Sequence, residues 1–193
     1  HGSGAALPPL DACVRSVTLA TPDRGLVTFG AEDEDPSLFH LVRAGLGMFG
    51  IVTQMTLRCV PAHNLVERTY VYSRERAAKE RDELLKKHKH VRYMWIPYAD
   101  AVVVVVSDPE GSAEAEGFLP QEEDADRKRW RFRPLVDLLE TLHHERGETP
   151  RAEDVGRMGF GELRDRLLSH APLDPQHVRR VNLAEAELWK RGD

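Results

Sequence analysis

The sequence predicts an α+β chain in two unequal parts, and three patterns carry that expectation. Residues 1–62 are rich in glycine and β-branched residues, with turn signals at Pro8-Pro9, Pro22-Asp23 and Asp35-Pro36. Five consecutive valines, Val102 to Val106, suit a strand covered on both faces better than any helix. The last part of the chain reads as successive helices, at about residues 134–146, 159–169 and 174–190.

In the first part, residues 14–20 and 25–29 read as strands joined by a hairpin turn at Thr21-Pro22-Asp23-Arg24. Asp35 then serves as the N-cap of a helix, with Pro36 at its first position. Leu38, Phe39, Leu41 and Val42 give that helix an apolar face, and Gly45 stands where a glycine would stop it. Residues 51–60 alternate as a strand should, with Ile51, Thr53, Met55, Leu57 and Cys59 on one side, until Pro61 ends the run.

The second part, residues 63–193, restarts as strand (65–72), helix (74–88), strand (91–96) and strand (101–107). The last two strands pair across a turn at Pro97-Tyr98-Ala99-Asp100. Residues 108–126 are acidic and poor in large apolar groups, which predicts a surface loop. Together with the helix after it, this loop makes up residues 108–158 of the second part. Arg127-Lys128-Arg129 reads as a solvated helix face. The last helix is capped by Asp174 with Pro175 behind it.

Charge and composition exclude several classes of function. A net charge of −5 gives no basic surface for a nucleic-acid backbone. The longest apolar run, residues 101–106, is far short of the roughly 20 residues that span a bilayer. Cys13 and Cys59 lack metal-ligand spacing and are expected as buried free thiols in a reducing compartment. The opening on His1 without an initiator Met, and the polar end at Lys190-Arg191-Gly192-Asp193, lead us to expect further sequence on both sides.

Glycine placement holds the first chemical signal. Gly45-Leu46-Gly47-Met48-Phe49-Gly50-Ile51-Val52-Thr53 sets closely spaced glycines between a predicted helix and a predicted strand. Glycine lets backbone groups approach a flat or anionic ligand without a side chain in the way. The letters contain Gly-x-Gly-x-x-Gly, but a nicotinamide-dinucleotide fingerprint runs strand, glycines, helix, and here the order is reversed. That fold is rejected. A tight turn without a ligand remains the plainer reading of these glycines, which also serve helix ends and bulges.

His1-Gly2-Ser3-Gly4-x-x-Leu7-Pro8-Pro9-Leu10-Asp11, followed by Gly45-Leu46-Gly47-x-x-Gly50-Ile51-Val52-Thr53-x-x-Thr56-Leu57, resembles the vanillyl-alcohol-oxidase superfamily of flavoproteins. The similarity is greater to its aldonolactone oxidoreductases, and within them to the plant-type L-galactono-1,4-lactone dehydrogenases. It continues through Leu65-Val66-Glu67-Arg68-Thr69-Tyr70-Val71 and through residues 89–98, 160–168 and 181–189. The resemblance implies the C-terminal part of a PCMH-type FAD-binding domain at 1–62 and the first part of a mixed-sheet substrate cap at 63–193. It implies cofactor contacts from the backbone of His1, Gly2, Ser3 and Gly4 and from Gly50, Ile51 and Val52. It further implies FAD as hydride acceptor, an aldonolactone as substrate, cytochrome c as electron acceptor and a mitochondrial location. Two alternatives stay open: an aldonolactone or alditol oxidase passing electrons to oxygen, and a non-catalytic partner in the assembly of respiratory complex I. No residue of this chain is assigned a catalytic or metal-binding role.

The remaining candidates are expected to be structural. His88 and His90 lie in the basic run Lys86-Lys87-His88-Lys89-His90 and are expected as solvated residues, since nearby positive charge opposes metal binding. His143 and His144 are neighbours on a helix and diverge by about 100°, so they cannot chelate together. Tyr93, Trp95 and Tyr98 are expected in core or interface, and Glu67 and Arg68 point to opposite faces of a strand.

Overall fold

The computed structural model describes residues 2–118, 123–147 and 158–192. The chain divides into two compact units, His1–Asn64 and Leu65–Asp193. Each unit carries one three-stranded antiparallel sheet, the first ordered β2-β1-β3 and the second β4-β6-β5. The α+β class follows from these sheets and the helices around them. Every described strand of the second unit pairs antiparallel, so the parallel pairing of a mixed sheet is not among them.

In the first unit a 3-10 turn, Leu10–Cys13, leads into β1 (Val14–Thr21), which reverses into β2 (Gly25–Gly30). The hairpin closes where expected. Gly25 takes φ +68°, and the Thr21 hydroxyl accepts from Arg24 N and donates to Gly25 O. The short helix α1 (Ser37–Val42) starts beside Asp35, whose carboxylate accepts from Ser37 N at 3.0 Å. It buries Phe39 and Val42 against Val14, Val17 and Leu19 of β1.

The strand after the glycines, β3 (Ile51–Leu57), is shorter than predicted and does not alternate simply. Its register against β1 shifts between Thr18 and Leu19, where Gln54 pairs with Thr18 and Val52 with Leu19. Thr53 is the extra residue of a bulge, and a one-residue insertion moves the rest of a strand to the other face. Val52 and Met55 therefore share a face with Leu19 and Val17, while Ile51 lies opposite Ala20 on the other. The expected row of Ile51, Met55 and Leu57 on one side is corrected by that bulge. Cys59, expected buried, is exposed, and Cys13 is half-buried.

In the second unit, β4 is Leu65–Tyr72, α2 is Arg74–Lys87, β5 is His90–Trp95 and β6 is Val102–Pro109. The five valines are all buried in the central strand. Val102, Val104 and Val106 pack with Ala77 and Leu84 of α2 on one face. Val103 and Val105 pack on the other against Ala186 of the last helix. Ser73 caps α2 by accepting from Arg76 N. Asp100 accepts from Arg74 N and its guanidinium, bonds that hold the Asp100 carboxyl below the usual carboxylate range. Tyr98 in that turn has φ +64°, and Trp95 and Tyr98 are exposed and, among the described residues, belong to no core of this unit.

Among the described residues three helices complete the unit: α3 (Ala125–Glu145), α4 (Phe160–Ser169) and α5 (Pro175–Gly192). They share a core of Leu135, Leu139, Leu163, Leu167, Val181 and Leu188. Asp174 accepts from Gln176 N at the start of α5, as its sequence position suggested. Helix α3 begins well before the expected residue 134. Asp124 caps it through Arg127 N at 2.7 Å, and Pro134 lies inside it.

A proline inside a helix removes the donor that the carbonyl four residues earlier would use. That carbonyl belongs to Trp130, and Arg191 Nη1 of α5 donates to it at 2.8 Å while its guanidinium lies 5.0 Å from the Trp130 ring centroid. Arg191→Met should therefore lower stability by about 1 kcal/mol, measured by urea unfolding. A variant indistinguishable from wild type would show that water satisfies the Trp130 carbonyl equally well.

Candidate functional site

The glycine turn connects α1 to β3 in the order the sequence predicts. Gly45 N donates to Val42 O, and Met48 N donates to Gly45 O. A Cβ on Gly45 would lie 2.7 Å from the Phe49 ring and 2.9 Å from Leu41 O, so the residue is fixed by the packing of Phe49. The chain turns through the left-handed region at Leu46 (φ 52°) and Gly47 (φ 78°), not at Gly45. Gly50 has φ +141°, and a Cβ there would stand 2.5 Å from Ala20 O. The need for glycine at this position thus arises within the protein's own backbone. It lets β3 begin tightly against the end of β1.

The strand beyond the turn is open on one side. Among the described residues β3 is an edge strand of its sheet, and all seven of its residues are exposed. Half of the N–H and C=O groups of such a strand face away from the neighbour. Ile51 is 74% exposed and Val52 50%, and no residue of β3 is charged. A strand of this kind offers main-chain hydrogen bonds and apolar contact to a flat ring. A flavin fits that chemistry through Gly50, Ile51 and Val52.

The other predicted contact segment is less defined. His1 lies outside the described residues. Gly2, Ser3 and Gly4 form coil; a Cβ on Gly2 would meet nothing within 4 Å, and Gly4 O accepts from Leu7 N. The chain that follows this loop enters β1 at Val14 through the 3-10 turn, opposite Leu57, and Arg58 N donates to Cys13 O at the same end. Gly50 meets β1 at its other end, beside Ala20. The seven residues of β3 span about 20 Å at the usual rise of a strand. A ligand touching both the exit of the loop and the Gly50 turn must be an extended one, as a flavin dinucleotide can be.

Two groupings in the second unit were not foreseen. His88 is not solvated: its side chain is 7% exposed, and its Nδ1 lies 2.6 Å from Asp108 Oδ2, itself 6% exposed. The other Asp108 oxygen accepts from Lys89 N at 2.8 Å. The pair ties the end of α2 to the end of β6, and Asp108 belongs to the core strand instead of the acidic loop. The second grouping is a polar row across the sheet. Glu67 of β4, Ser107 of β6 and His90 of β5 are direct cross-strand partners. Ser107 Oγ donates to Glu67 Oε2 at 3.3 Å, and Arg92 Nη2 is 3.8 Å from the same oxygen.

Between α3 and α4 lies a groove of about 710 Å³ lined by Leu139, His143, Arg146, Glu162, Arg166 and His170, among others. Within it Arg166 bonds Glu162, and Arg146 donates to the backbone carbonyl of His170. His143 packs edge-on against His170 across it. Among the described residues no cluster of His, Cys, Asp and Glu is arranged to hold a metal ion.

Comparison with known proteins shows what the chain is similar to. Residues 55–135 match the family model of D-arabinono-1,4-lactone oxidase. The whole chain is 39% identical to L-galactono-1,4-lactone dehydrogenase 1, mitochondrial, of Oryza sativa subsp. japonica, covering 33% of that protein. It is 40% identical to the mitochondrial L-galactono-1,4-lactone dehydrogenase of Arabidopsis thaliana, covering 32%. Along its whole length the chain is similar to aldonolactone oxidoreductases. It spans about a third of the length of these plant relatives. The L-gulonolactone oxidase of Bos taurus is 30% identical over 56% of the chain and 24% of its own length. Members of this family are flavoproteins in general. Among the described residues no helix is long and apolar enough to cross a membrane.

Proposed function

We propose that the protein containing this chain is an FAD-dependent dehydrogenase that oxidises L-galactono-1,4-lactone to ascorbate and passes the electrons to cytochrome c in mitochondria. The observation that carries this reading is identity of 39% and 40% along the entire chain to the rice and Arabidopsis dehydrogenases. Similarity to the bovine oxidase covers only 56% of the chain, which favours the dehydrogenase over an oxygen-using enzyme.

In this reading the first unit supplies part of the flavin domain and the second part of the substrate cap. FAD, when bound, accepts the hydride that leaves the lactone. This chain would hold part of it by backbone contacts from Gly2, Ser3 and Gly4, and the resemblance adds His1 to that set. Gly50, Ile51 and Val52 present the free edge of β3 to it. Such contacts position a cofactor and exclude water without competing for its reactive atoms.

The full-length protein should purify yellow and show lactone-dependent reduction of cytochrome c that exceeds its production of peroxide. A yellow protein that makes peroxide in place of reduced cytochrome c would move it to the oxidase branch. A colourless protein, or one that no aldonolactone reduces, would contradict the enzymatic reading altogether.

A further inference from the structure

We propose that Glu67, Ser107 and Arg92 form a lactone-recognition face on the second sheet, binding the hydroxyls of the polyhydroxylated substrate; the proposal rests on the aldonolactone reading above.

The face that carries them is divided. At one end Val103, Val105, Val71 and Met94 are packed with Ala186 and Trp189 of α5. Two residues further along the same strands the side chains turn polar. Thr69 and Arg92 flank Val105, and Glu67 and His90 flank Ser107. The apolar half is covered by the helix, whereas the Glu67 and Arg92 side chains remain 56% and 57% exposed. Their bonds leave capacity for a ligand. The Glu67 carboxylate has about four acceptor positions and Arg92 five N–H donors, against one bond from Ser107 and one long contact between them.

An uncharged lactone ring bearing several hydroxyls needs acceptors and donors alternating over a few ångströms, held on stiff elements. Three adjacent strands provide that here, with β6 fixed by its buried valines. The location within the chain also points to substrate and not to electron acceptor. All these residues fall within residues 55–135, the segment that matches the lactone oxidase family model. Lactone dehydrogenases and lactone oxidases differ in electron acceptor and share a lactone substrate, so a segment common to both is a place for substrate contacts.

The test uses the full-length holoenzyme with Glu67→Gln, Arg92→Met and, as a comparison, Glu80→Gln, which removes an exposed α2 ion pair with Arg76 on another element. KM and kcat are measured for L-galactono-1,4-lactone and for lactones inverted at single hydroxyls. A hydrogen bond to a charged group is worth about tenfold or more in binding. Glu67→Gln and Arg92→Met should therefore raise KM about tenfold, and the preference among the stereoisomers should shrink by a similar factor. Flavin content and melting temperature should match those of wild type and Glu80→Gln. An active wild type whose two variants keep both KM and stereochemical preference would overturn the assignment and leave the enzyme reading intact. A wild type that oxidises no lactone would overturn both. A loss of kcat accompanied by loss of flavin would assign the row a structural role and overturn the proposal as well.

Discussion

Replacing Asp108 by Ala should destabilise the second unit by about 1–3 kcal/mol for each buried donor left without its acceptor. The carboxylate serves two groups at once, His88 Nδ1 at 2.6 Å and Lys89 N at 2.8 Å. Both would be left without that acceptor in a place where the His88 and Asp108 side chains are 7% and 6% exposed. The loss would act where α2 hands over to β5, and it would free the end of the central strand. Glu80→Ala sets the scale for an exposed pair. It breaks the bond with Arg76 on the surface of α2 and should cost no more than about 0.5 kcal/mol. Urea unfolding of the two variants side by side provides the comparison. An Asp108→Ala protein within about 1 kcal/mol of Glu80→Ala would mean that water reaches His88 and that the pair contributes like a surface contact.

Gly50→Val should be the most damaging single change in the first unit. The added Cβ would lie 2.5 Å from Ala20 O, a backbone atom of the neighbouring strand, and φ +141° is a conformation that L side chains rarely adopt. Strain of this kind costs roughly 1–3 kcal/mol and overpacking adds a similar amount. The strand must pull away from β1 at its first residue, where Ile51 pairs with Ala20. Because Ile51 and Val52 are the proposed cofactor contacts, flavin occupancy of the full-length protein should fall together with stability. Gly47→Ala is the informative counterpart. Its Cβ would meet nothing within 4 Å, so only the backbone angle, φ +78°, opposes it. It should lose about 1 kcal/mol and keep its flavin. Normal flavin content in Gly50→Val would separate this residue from the cofactor site.

Much of the fold was legible because local chemistry agreed with it. The valine run marked the buried central strand, Asp35 and Asp174 marked helix starts, and the helix–glycine–strand order excluded the nicotinamide fold. Three of the failures share one cause: in each, a partner distant in sequence overrode a local preference. The sequence predicts a helix from about residue 134, yet α3 runs through Pro134 because Asp124 caps an earlier turn and Arg191 takes the carbonyl that proline leaves. His88 looked solvated among lysines, but the buried acceptor that holds it is twenty residues away on β6. Alternation in β3 pointed to one apolar row, and only the pairing with β1 reveals the bulge at Thr53. Glu67 and Arg92 are unremarkable in the sequence. Their proximity is set by the register of β4 and β5 on either side of β6.

The measurement closest to the central claim is anaerobic mixing of the full-length protein with L-galactono-1,4-lactone while flavin absorbance is followed. Hydride transfer requires the lactone carbon to be held in contact with the flavin, so reduction depends on the cofactor and substrate sites at once and on no electron acceptor. Bleaching of the flavin band at a rate that saturates with lactone concentration is the expected result. Flavin that stays oxidised with every aldonolactone, in a protein that binds it stoichiometrically, would contradict the account.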